Sequence, residues 1–219
     1  MLRRKKYYSL LVVAILVFKT LLVSTVIASG TIPEVSITKL QVKPIIDGKI
    51  DDDAWVEVAR SFKGVLSGWK NQSGSVLAQN QRIVYLGYDD EALYIAMTCY
   101  VDNIESLIVG DSVWDDDHFE VHLVNTNDEY FQLGVTSSGR WALGRLNKLF
   151  RFQSAVHIGN NYWSVEVKIP WREVRVIPEV DTKIRFNVAA RDYLDNWVTW
   201  GPTYGGFQKP ENFAILKLE

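Results

Sequence analysis

The residues best suited to chemistry lie together in one short segment, DSVWDDDHFEVHL at positions 111 to 123. Three aspartates follow Trp114 directly, and two histidines and a glutamate alternate with apolar residues behind them. Carboxylates and imidazoles are ligands for metal ions, whereas an indole ring beside carboxylates is suited to hold a sugar. The spacing of the residues and the surrounding elements have to decide between the two.

Spacing argues against a transition-metal site in this segment. His118 and His122 are four residues apart on a predicted strand, which separates them by ~13 Å at 3.3 Å per residue, too far to share one ion. His118 and Glu120 are about 6–7 Å apart by the same rise, so a metal would need a ligand from another strand. The sequence therefore does not favour a catalytic metal.

The aspartate run 115–117 could bind calcium, which takes several hard oxygen ligands in a flexible loop. No segment of the sequence follows the D-x-[DN]-x-[DN]-G pattern of a calcium loop, and runs of charge commonly face water. Structural calcium stays open, and no individual ligand is predicted.

Five segments alternate between apolar and polar residues and are rich in β-branched and aromatic side chains: 82–88, 92–101, 118–124, 162–169 and 183–193. Turn signals such as SSGR and NNY separate them, and only 51–59 and 170–174 favour a helical turn or two. This pattern predicts an all-β fold, an antiparallel β-sandwich of the jelly-roll-like kind and of immunoglobulin size or larger.

Alternation also assigns the faces of the strand that follows Trp114. Phe119, Val121 and Leu123 share one side and must face the core, while His118, Glu120 and His122 share the other. In the segment 92–101, Met97 lies on the apolar side and is predicted to fill the core. The polar side of 118–124 is expected to form part of an open, aromatic-lined ligand surface.

The first 28 residues differ from the rest of the chain. A basic head, an apolar run and a small-residue segment ending at Ala28 follow one another in the order of a secretory signal peptide. Lys19 divides the apolar run into parts shorter than the ~20 residues that a spanning helix needs. We expect cleavage near Ala28 and a secreted domain over 29–219; an uncleaved membrane anchor is the alternative.

Charge and cysteine content restrict the function further. Residues 1–28 carry five basic and no acidic side chains, so removing them shifts the formal net charge from −2 to −7. An acidic domain binds the phosphate backbones of nucleic acids poorly, so nucleic-acid binding is not a favoured function. With Cys99 as the only cysteine, no internal disulfide can form, and a core must hold the domain together.

The order of motifs in this chain resembles the family 9 carbohydrate-binding modules. The resemblance runs from residue 43 to residue 218 and is carried by KPIIDGKIDDDAW, VYLGYDDEALYIAMTCYVD, WDDDHFEVHL, YFQLGVTSSG, YWSVEVKIPW, RFNVAARDY and TWGPTYGGFQKPENFAILKL. It implies a non-catalytic β-sandwich in which two aromatic side chains clamp a sugar and polar groups bind its hydroxyls.

The resemblance implies an aromatic clamp at particular positions. Trp114 matches the first clamp residue, and Phe207 occupies the place of the second, where better-known members carry tryptophan. Tyr204 and Trp69 are further aromatic residues that could line the cleft. The alternative for Trp114 is an ordinary half-buried residue at a strand entry, and for Phe207 a plug at the end of the sandwich.

Two polar residues complete the implied site. Glu120 matches the glutamate that binds sugar hydroxyls, and Gln132 falls where some members use an arginine. Burying a sugar hydroxyl without a partner costs ~1–3 kcal/mol, so such groups decide specificity. A glutamine in place of arginine keeps polarity but loses charge, which leaves the identity of the glycan open.

Two other classes of function compete with sugar binding. A glycoside hydrolase needs two carboxylates that flank the bond, and nothing in the sequence marks out such a pair. Related sandwiches hold haem through Met, His or Lys, and a haem-binding domain is the main alternative here. The expected partner is an oligo- or polysaccharide, with a separate glycoside hydrolase or a cell surface as a further association.

Overall fold

The computed structural model describes residues 32–144 and 149–219, which lie in one compact unit. The predicted signal segment falls outside the described residues. Within them the strands are β1 (Glu34–Ile37), β2 (Val65–Leu66), β3 (Lys70–Asn71), β4 (Arg82–Tyr88), β5 (Ala92–Tyr100), β6 (His118–Val124), β7 (Tyr130–Thr136), β8 (Trp141–Leu143), β9 (Gln153–Ile158), β10 (Tyr162–Pro170), β11 (Lys183–Arg191), β12 (Val198–Thr199) and β13 (Ala214–Leu218).

Two helices interrupt the strands, α1 (Asp53–Ser61) and α2 (Trp171–Val174), and 3-10 turns occupy Ile104–Ser106 and Pro210–Asn212. α2 lies within the predicted helical segment 170–174, and α1 overlaps the segment 51–59 and continues to Ser61. Neither they nor any other helix among residues 32–144 and 149–219 has the length and apolarity needed to cross a membrane.

The described strands form two sheets that pack face to face. Sheet A has eight strands, with the path β1-β13-β11-β6-β7-β8; β12 pairs with β11, and β3 pairs with β12. Sheet B has five strands, in the order β2-β4-β5-β10-β9. All pairings between named strands are antiparallel except that of β1 with β13. The predicted antiparallel β-sandwich is confirmed.

The core lies between the sheets and has the predicted membership. Phe119, Val121 and Leu123 of β6 point into it, and Met97 of β5 is fully buried there. Trp69, which the sequence offered as a further cleft residue, is also fully buried and packs against the ring of Phe119 at 6.4 Å between centroids. Trp69 is therefore a core residue.

The outer faces of the sheets differ from the expectation of one open face. Every residue of β6 is buried, including His118, Glu120 and His122 on its outer side. On sheet B, Tyr94 and Ala96 of β5 are covered in a second apolar cluster that includes Trp55 of α1. Loops and α1 therefore cover surfaces that alternation alone would leave open to solvent.

Candidate functional site

The outer side of β6 holds a row of three polar residues at the centre of sheet A. Glu120 lies in register between Ala189 of β11 and Gly134 of β7, two residues with little or no side chain. His118 and His122 are the next outward-facing residues along the strand, so their rings can lean over these small neighbours toward the carboxylate. The two histidines, although distant along the backbone, thus contact the same group.

The Glu120 carboxylate is the centre of this row. His118 Nε2 lies 2.9 Å from Oε1, and Gln132 Nε2 donates to Oε2 at 2.7 Å. His122 Nε2 is 3.1 Å from Oε2, but it is not aligned for a hydrogen bond, so we treat it as a close electrostatic contact. Burial alone would raise the pKa of Glu120; the hydrogen bond from His118 and the nearby His122 outweigh burial and hold this pKa well below its usual range.

Trp114 lies beside this row, at the end of the loop that leads into β6. Its ring meets the His118 imidazole edge-on, with 5.8 Å between centroids and an angle of 88°. The indole covers Gly134, where a β-carbon would come within 2.8 Å of the ring. Only glycine at position 134 lets the indole lie this close to sheet A.

Buried carboxylates hold the loop that carries Trp114. Asp116 pairs with Arg140 at 2.6 Å and accepts the backbone N–H of Gly110, while Asp117 accepts the N–H of Ile108 at 2.9 Å. Arg191 donates to the backbone carbonyl of Trp114 at 3.4 Å. Runs of charge commonly face water. These two aspartates are instead fully buried, and their hydrogen bonds stabilise the conformation of the loop.

Asp117 is a carboxyl group in a fully buried position. Its Oδ1 has no hydrogen-bond partner among the described residues, and burial raises the pKa of this carboxyl to about 6. The N–H of Ile108, together with Arg191 and Arg82, opposes that rise, while Asp192 adds to it. The folded domain therefore holds this proton up to a higher pH than the unfolded chain does.

We expect Asp117→Asn to remove a pH dependence of stability. The pKa of Asp117 is higher in the folded than in the unfolded state, so its contribution is full below about pH 4 and is lost as pH rises through about 6. That loss amounts to ~2–3 kcal/mol for a shift of about two units. Urea unfolding at pH 4 and pH 7.5 should show wild type losing this stability relative to the variant; parallel pH profiles would contradict the assignment.

A second tryptophan, which the sequence analysis did not single out, lies on the other side of His118. Trp197 is 42% exposed, and its ring meets His118 at 6.1 Å and Phe207 at 5.4 Å between centroids. The Arg191 guanidinium lies over the Trp197 ring at 5.7 Å. Trp114 and Trp197 therefore flank one imidazole. The only sign of this role in the sequence is that Trp197, an aromatic residue, stands in the turn after β11.

Phe207 takes a more interior position than its predicted role requires. It is 8% exposed and packs between Trp197 and the His122 ring, 6.1 Å from the latter. Gln208, the next residue, donates to Gln132 Oε1 at 2.9 Å and so extends the hydrogen-bond chain that begins at Glu120. The segment 207–208 therefore covers this part of sheet A.

Tyr204 lies apart from the cluster of rings. It is 69% exposed, its backbone has a left-handed φ of 54°, and its N–H donates to the carbonyl of Gln72 at 2.9 Å. No ring contact of Tyr204 occurs among the described residues. Of the five residues chosen from sequence, the structure thus brings together Trp114, Glu120, Gln132 and Phe207, and leaves Tyr204 outside.

The site offers aromatic and hydrogen-bonding groups rather than a metal cage. Within residues 32–144 and 149–219, no group of three or more His, Cys, Asp or Glu side chains is arranged to hold a metal ion. Structural calcium, which the aspartate run 115–117 suggested, stays a prediction without an assigned ligand.

Comparison with known proteins places the chain in a class of sugar-binding domains. The family model described as carbohydrate family 9 binding domain-like matches residues 46–219. The chain belongs to this family, and it is a non-catalytic carbohydrate-binding module. No curated protein sequence matches the chain.

Solved structures share the fold at low sequence identity. A family 9 carbohydrate-binding module from Caldicellulosiruptor kristjanssonii, in complex with cellotriose, is 19% identical with a TM-score of 0.67, over 85% of this chain and 93% of that one. The same module in complex with glucose gives the same identity and TM-score, over 85% and 95%. A putative carbohydrate-binding protein from Bacteroides uniformis is 14% identical with a TM-score of 0.61, over 86% and 100%.

Proposed function

We propose that this domain binds a sugar at the outer face of sheet A, with Trp114 and Trp197 as the aromatic contacts. The observation that carries the proposal is the pair of tryptophans on either side of His118, above a fully hydrogen-bonded Glu120. Indole rings cover the apolar C–H faces of a pyranose, and polar groups between them can bind its hydroxyls. Trp197 takes the place that the sequence resemblance gave to Phe207.

In this proposal the buried polar groups organise the site from below. Glu120 is 2% exposed, and both of its oxygens already accept contacts from protein side chains. It fixes the orientation of His118 and Gln132, and through Gln132 that of Gln208. Gln208 is exposed and donates to Gln132, so it is the member of this hydrogen-bond chain that a sugar hydroxyl can contact directly. Phe207 then supports Trp197 from inside.

Glucose and cellotriose are the first ligands to test, because they occupy a structural relative of this domain. The departures at Gln132 and Phe207 leave the preferred glycan open, so a glycan array should accompany them. We further propose that the domain is secreted after cleavage near Ala28 and acts beside a separate polysaccharide-degrading enzyme or at a cell surface. N-terminal sequencing of the exported protein tests the cleavage; a first residue before Ala28 would contradict it.

Trp114→Ala is expected to weaken sugar binding at least tenfold. The variant removes the ring that covers one face of the sugar, and a loss of about 1.4 kcal/mol corresponds to a factor of ten in Kd. Isothermal titration with glucose, cellotriose and the best array ligand measures the change. Trp197→Ala should have an effect of similar size.

Trp141→Ala is the matched control for this experiment. Trp141 is 56% exposed on the edge strand β8 and does not contact the Trp114 cluster, so the same substitution there removes an equally large ring. Binding of neutral sugars should stay within twofold of wild type. Unchanged binding in Trp114→Ala, or an equal loss in Trp141→Ala, would overturn the proposed site.

A further inference from the structure

A second concave surface lies away from the Trp114 site. It is a groove of about 870 Å³, within the range of about 300–1,000 Å³ common for ligand sites. Aromatic and basic side chains dominate its lining: Trp141, Phe150, Phe152, Lys43, Arg151 and Lys168.

The register of β8 separates this groove from the Trp114 site. Trp141 pairs with Val135, a core-facing residue of β7, whereas Ala142 pairs with Gly134, which Trp114 covers. Neighbouring residues of a strand point to opposite faces. The side chains of Trp141 and Trp114 therefore lie on opposite faces of sheet A, so the two tryptophans belong to different surfaces.

The aromatic wall of the groove is rooted in the core. The exposed ring of Trp141 meets Phe152 edge-on, with 5.1 Å between centroids and an angle of 87°. Phe152 packs against Phe150 at 5.9 Å, and Phe150 against the buried Phe131 at 5.6 Å. This chain of contacts fixes the indole in place while more than half of the residue remains open to solvent. A fixed, exposed ring is a platform for a flat apolar surface such as a sugar face.

The charge of the groove is opposite to that of the domain. Its described lining contains three cations and no acid, in a chain whose formal net charge is −2. Lys43 pairs with Glu91 at 2.8 Å and with Asp89 at 3.4 Å, Lys168 lies 4.0 Å from Glu91, and the Arg151 backbone N–H donates to Glu173, so three acids border the three cations. None of these acids belongs to the described lining, so the charges that face the groove are positive.

Two of the cations are available to a ligand. The Arg151 guanidinium has no hydrogen bond or ion pair within residues 32–144 and 149–219; its backbone N–H alone is used, by Glu173. The Lys168 ammonium lies over the Tyr94 ring at 5.6 Å, and its nearest carboxylate oxygen, that of Glu91, is 4.0 Å away. Guanidinium and ammonium groups bind carboxylates and sulfates through charge-assisted hydrogen bonds.

We propose that this groove binds an acidic glycan, with a sugar ring on Trp141 and its carboxylate or sulfate group on Arg151 and Lys168. Charge complementarity and the fixed indole support it, and neither depends on the Trp114 site. The domain would then hold two different saccharide surfaces, one for the sugar of the Trp114 site and one for an acidic chain.

Titration calorimetry of the purified protein with polygalacturonate, dextran sulfate and neutral dextran tests the proposal. We expect one or both acidic polymers to bind at the groove, and any binding of neutral dextran, a glucose polymer, to belong to the Trp114 site and to be lost in Trp114→Ala. Polygalacturonate alone would identify carboxylate as the recognised group, and dextran sulfate alone would identify sulfate. Binding should weaken as salt is raised, because the contacts are exposed.

Variants then locate the binding. The pair Arg151→Gln with Lys168→Gln should weaken it at least tenfold, and Trp141→Ala at least threefold. The pair Lys183→Gln with Arg185→Gln on β11 removes the same charge from the face of sheet A opposite to Trp141 and should change affinity less than twofold. Arg151→Gln alone, at an exposed position, guards against a folding defect in the first pair.

Three outcomes would contradict the proposal that the groove binds an acidic glycan. They are no binding to either acidic polymer, an equal loss of affinity in the β11 control pair, or unchanged binding in Trp141→Ala. Trp114→Ala separates this proposal from the previous one. If it removes binding of neutral sugars but not of the acidic polymer, both proposals hold; if it removes the acidic polymer as well, while the Arg151 and Lys168 variants bind normally, the acidic glycan belongs to the Trp114 site.

Discussion

Asp192→Ala is expected to lower the free energy of unfolding by about 3–5 kcal/mol, the typical result of leaving one member of a buried ion pair without its partner. Asp192 pairs with Arg82, and both side chains are fully buried. Arg82 belongs to β4 in sheet B, whereas Asp192 follows β11 in sheet A, so the pair joins the two sheets. Without the Asp192 carboxylate, the buried guanidinium keeps its hydrogen bond to the Asn80 carbonyl, but its nearest remaining carboxylate is that of Asp195, at 3.8 Å.

The loss extends beyond the ion pair. Asp192 Oδ2 also accepts Asn80 Nδ2 at 2.9 Å, and Oδ1 accepts the backbone N–H groups of Leu194 and Asp195 at 2.9 and 2.7 Å. These two N–H groups shape the turn that leads to Trp197. We therefore expect Asp192→Ala to weaken sugar binding at the Trp114 site as well as stability.

Asp90→Ala is the matched control, because Asp90 pairs with Lys39 at 2.6 Å on an exposed surface. Exposed pairs contribute about 1 kcal/mol or less. Urea unfolding of both variants at pH 7, followed by tryptophan fluorescence, gives the comparison. Equal destabilisation by the two substitutions would contradict a special role for the buried pair.

Glu166→Ala is expected to lower the free energy of unfolding by ~3 kcal/mol, because it removes the carboxylate that accepts hydrogen bonds from three donors. Glu166 on β10 accepts Trp55 Nε1 of α1 at 2.7 Å and the backbone N–H groups of Gly48 and Asp47 at 2.7 and 3.0 Å. A buried donor without a partner costs ~1–3 kcal/mol. Water that hydrogen-bonds to some of the freed donors reduces the total. The loop at Gly48 lies directly on β9, where a β-carbon would come within 2.4 Å of the Val156 backbone.

Glu57→Ala provides the comparison for Glu166. Glu57 of α1 accepts a single backbone N–H, that of Gln41, at 3.3 Å near the surface, so its loss should stay within about 0.5 kcal/mol. Thermal unfolding of both variants measures the difference. Because Pro44 and Ile46 of the same loop line the groove beside Trp141, Glu166→Ala should also weaken acidic-glycan binding. A Glu166→Ala domain as stable as wild type would contradict the role of this carboxylate.

The sequence predicted those features that depend on neighbouring residues. Alternation identified β4, β5, β6, β10 and β11 to within two residues, since period two is a local property of a strand. It also placed Phe119 and Met97 in the core. The order of motifs was sufficient for the family because it reflects the whole chain and not one residue.

Features that depend on distant parts of the chain could not be predicted in this way. Trp197 meets His118 across 79 positions, and no local pattern marks a tryptophan in a turn as part of a site. Asp116 and Asp117 are buried because Arg140 and the N–H groups of Gly110 and Ile108 meet them in the folded loop. The burial of Glu120 likewise depends on Phe207 and Gln208, which arrive from a segment some 90 residues later.

The parallel pairing of β1 with β13 has a mechanical consequence. Glu34 of β1 lies opposite Ile215 of β13, and Ile37 opposite Leu218. Tension applied to residues before β1 and after β13 would pull two adjacent parallel strands in opposite directions along their length. All the hydrogen bonds between them would then bear the load together in shear, whereas strands pulled apart from one end would unzip one bond at a time. A domain that holds a polysaccharide while being pulled through its ends would thus resist force where its first and last strands meet.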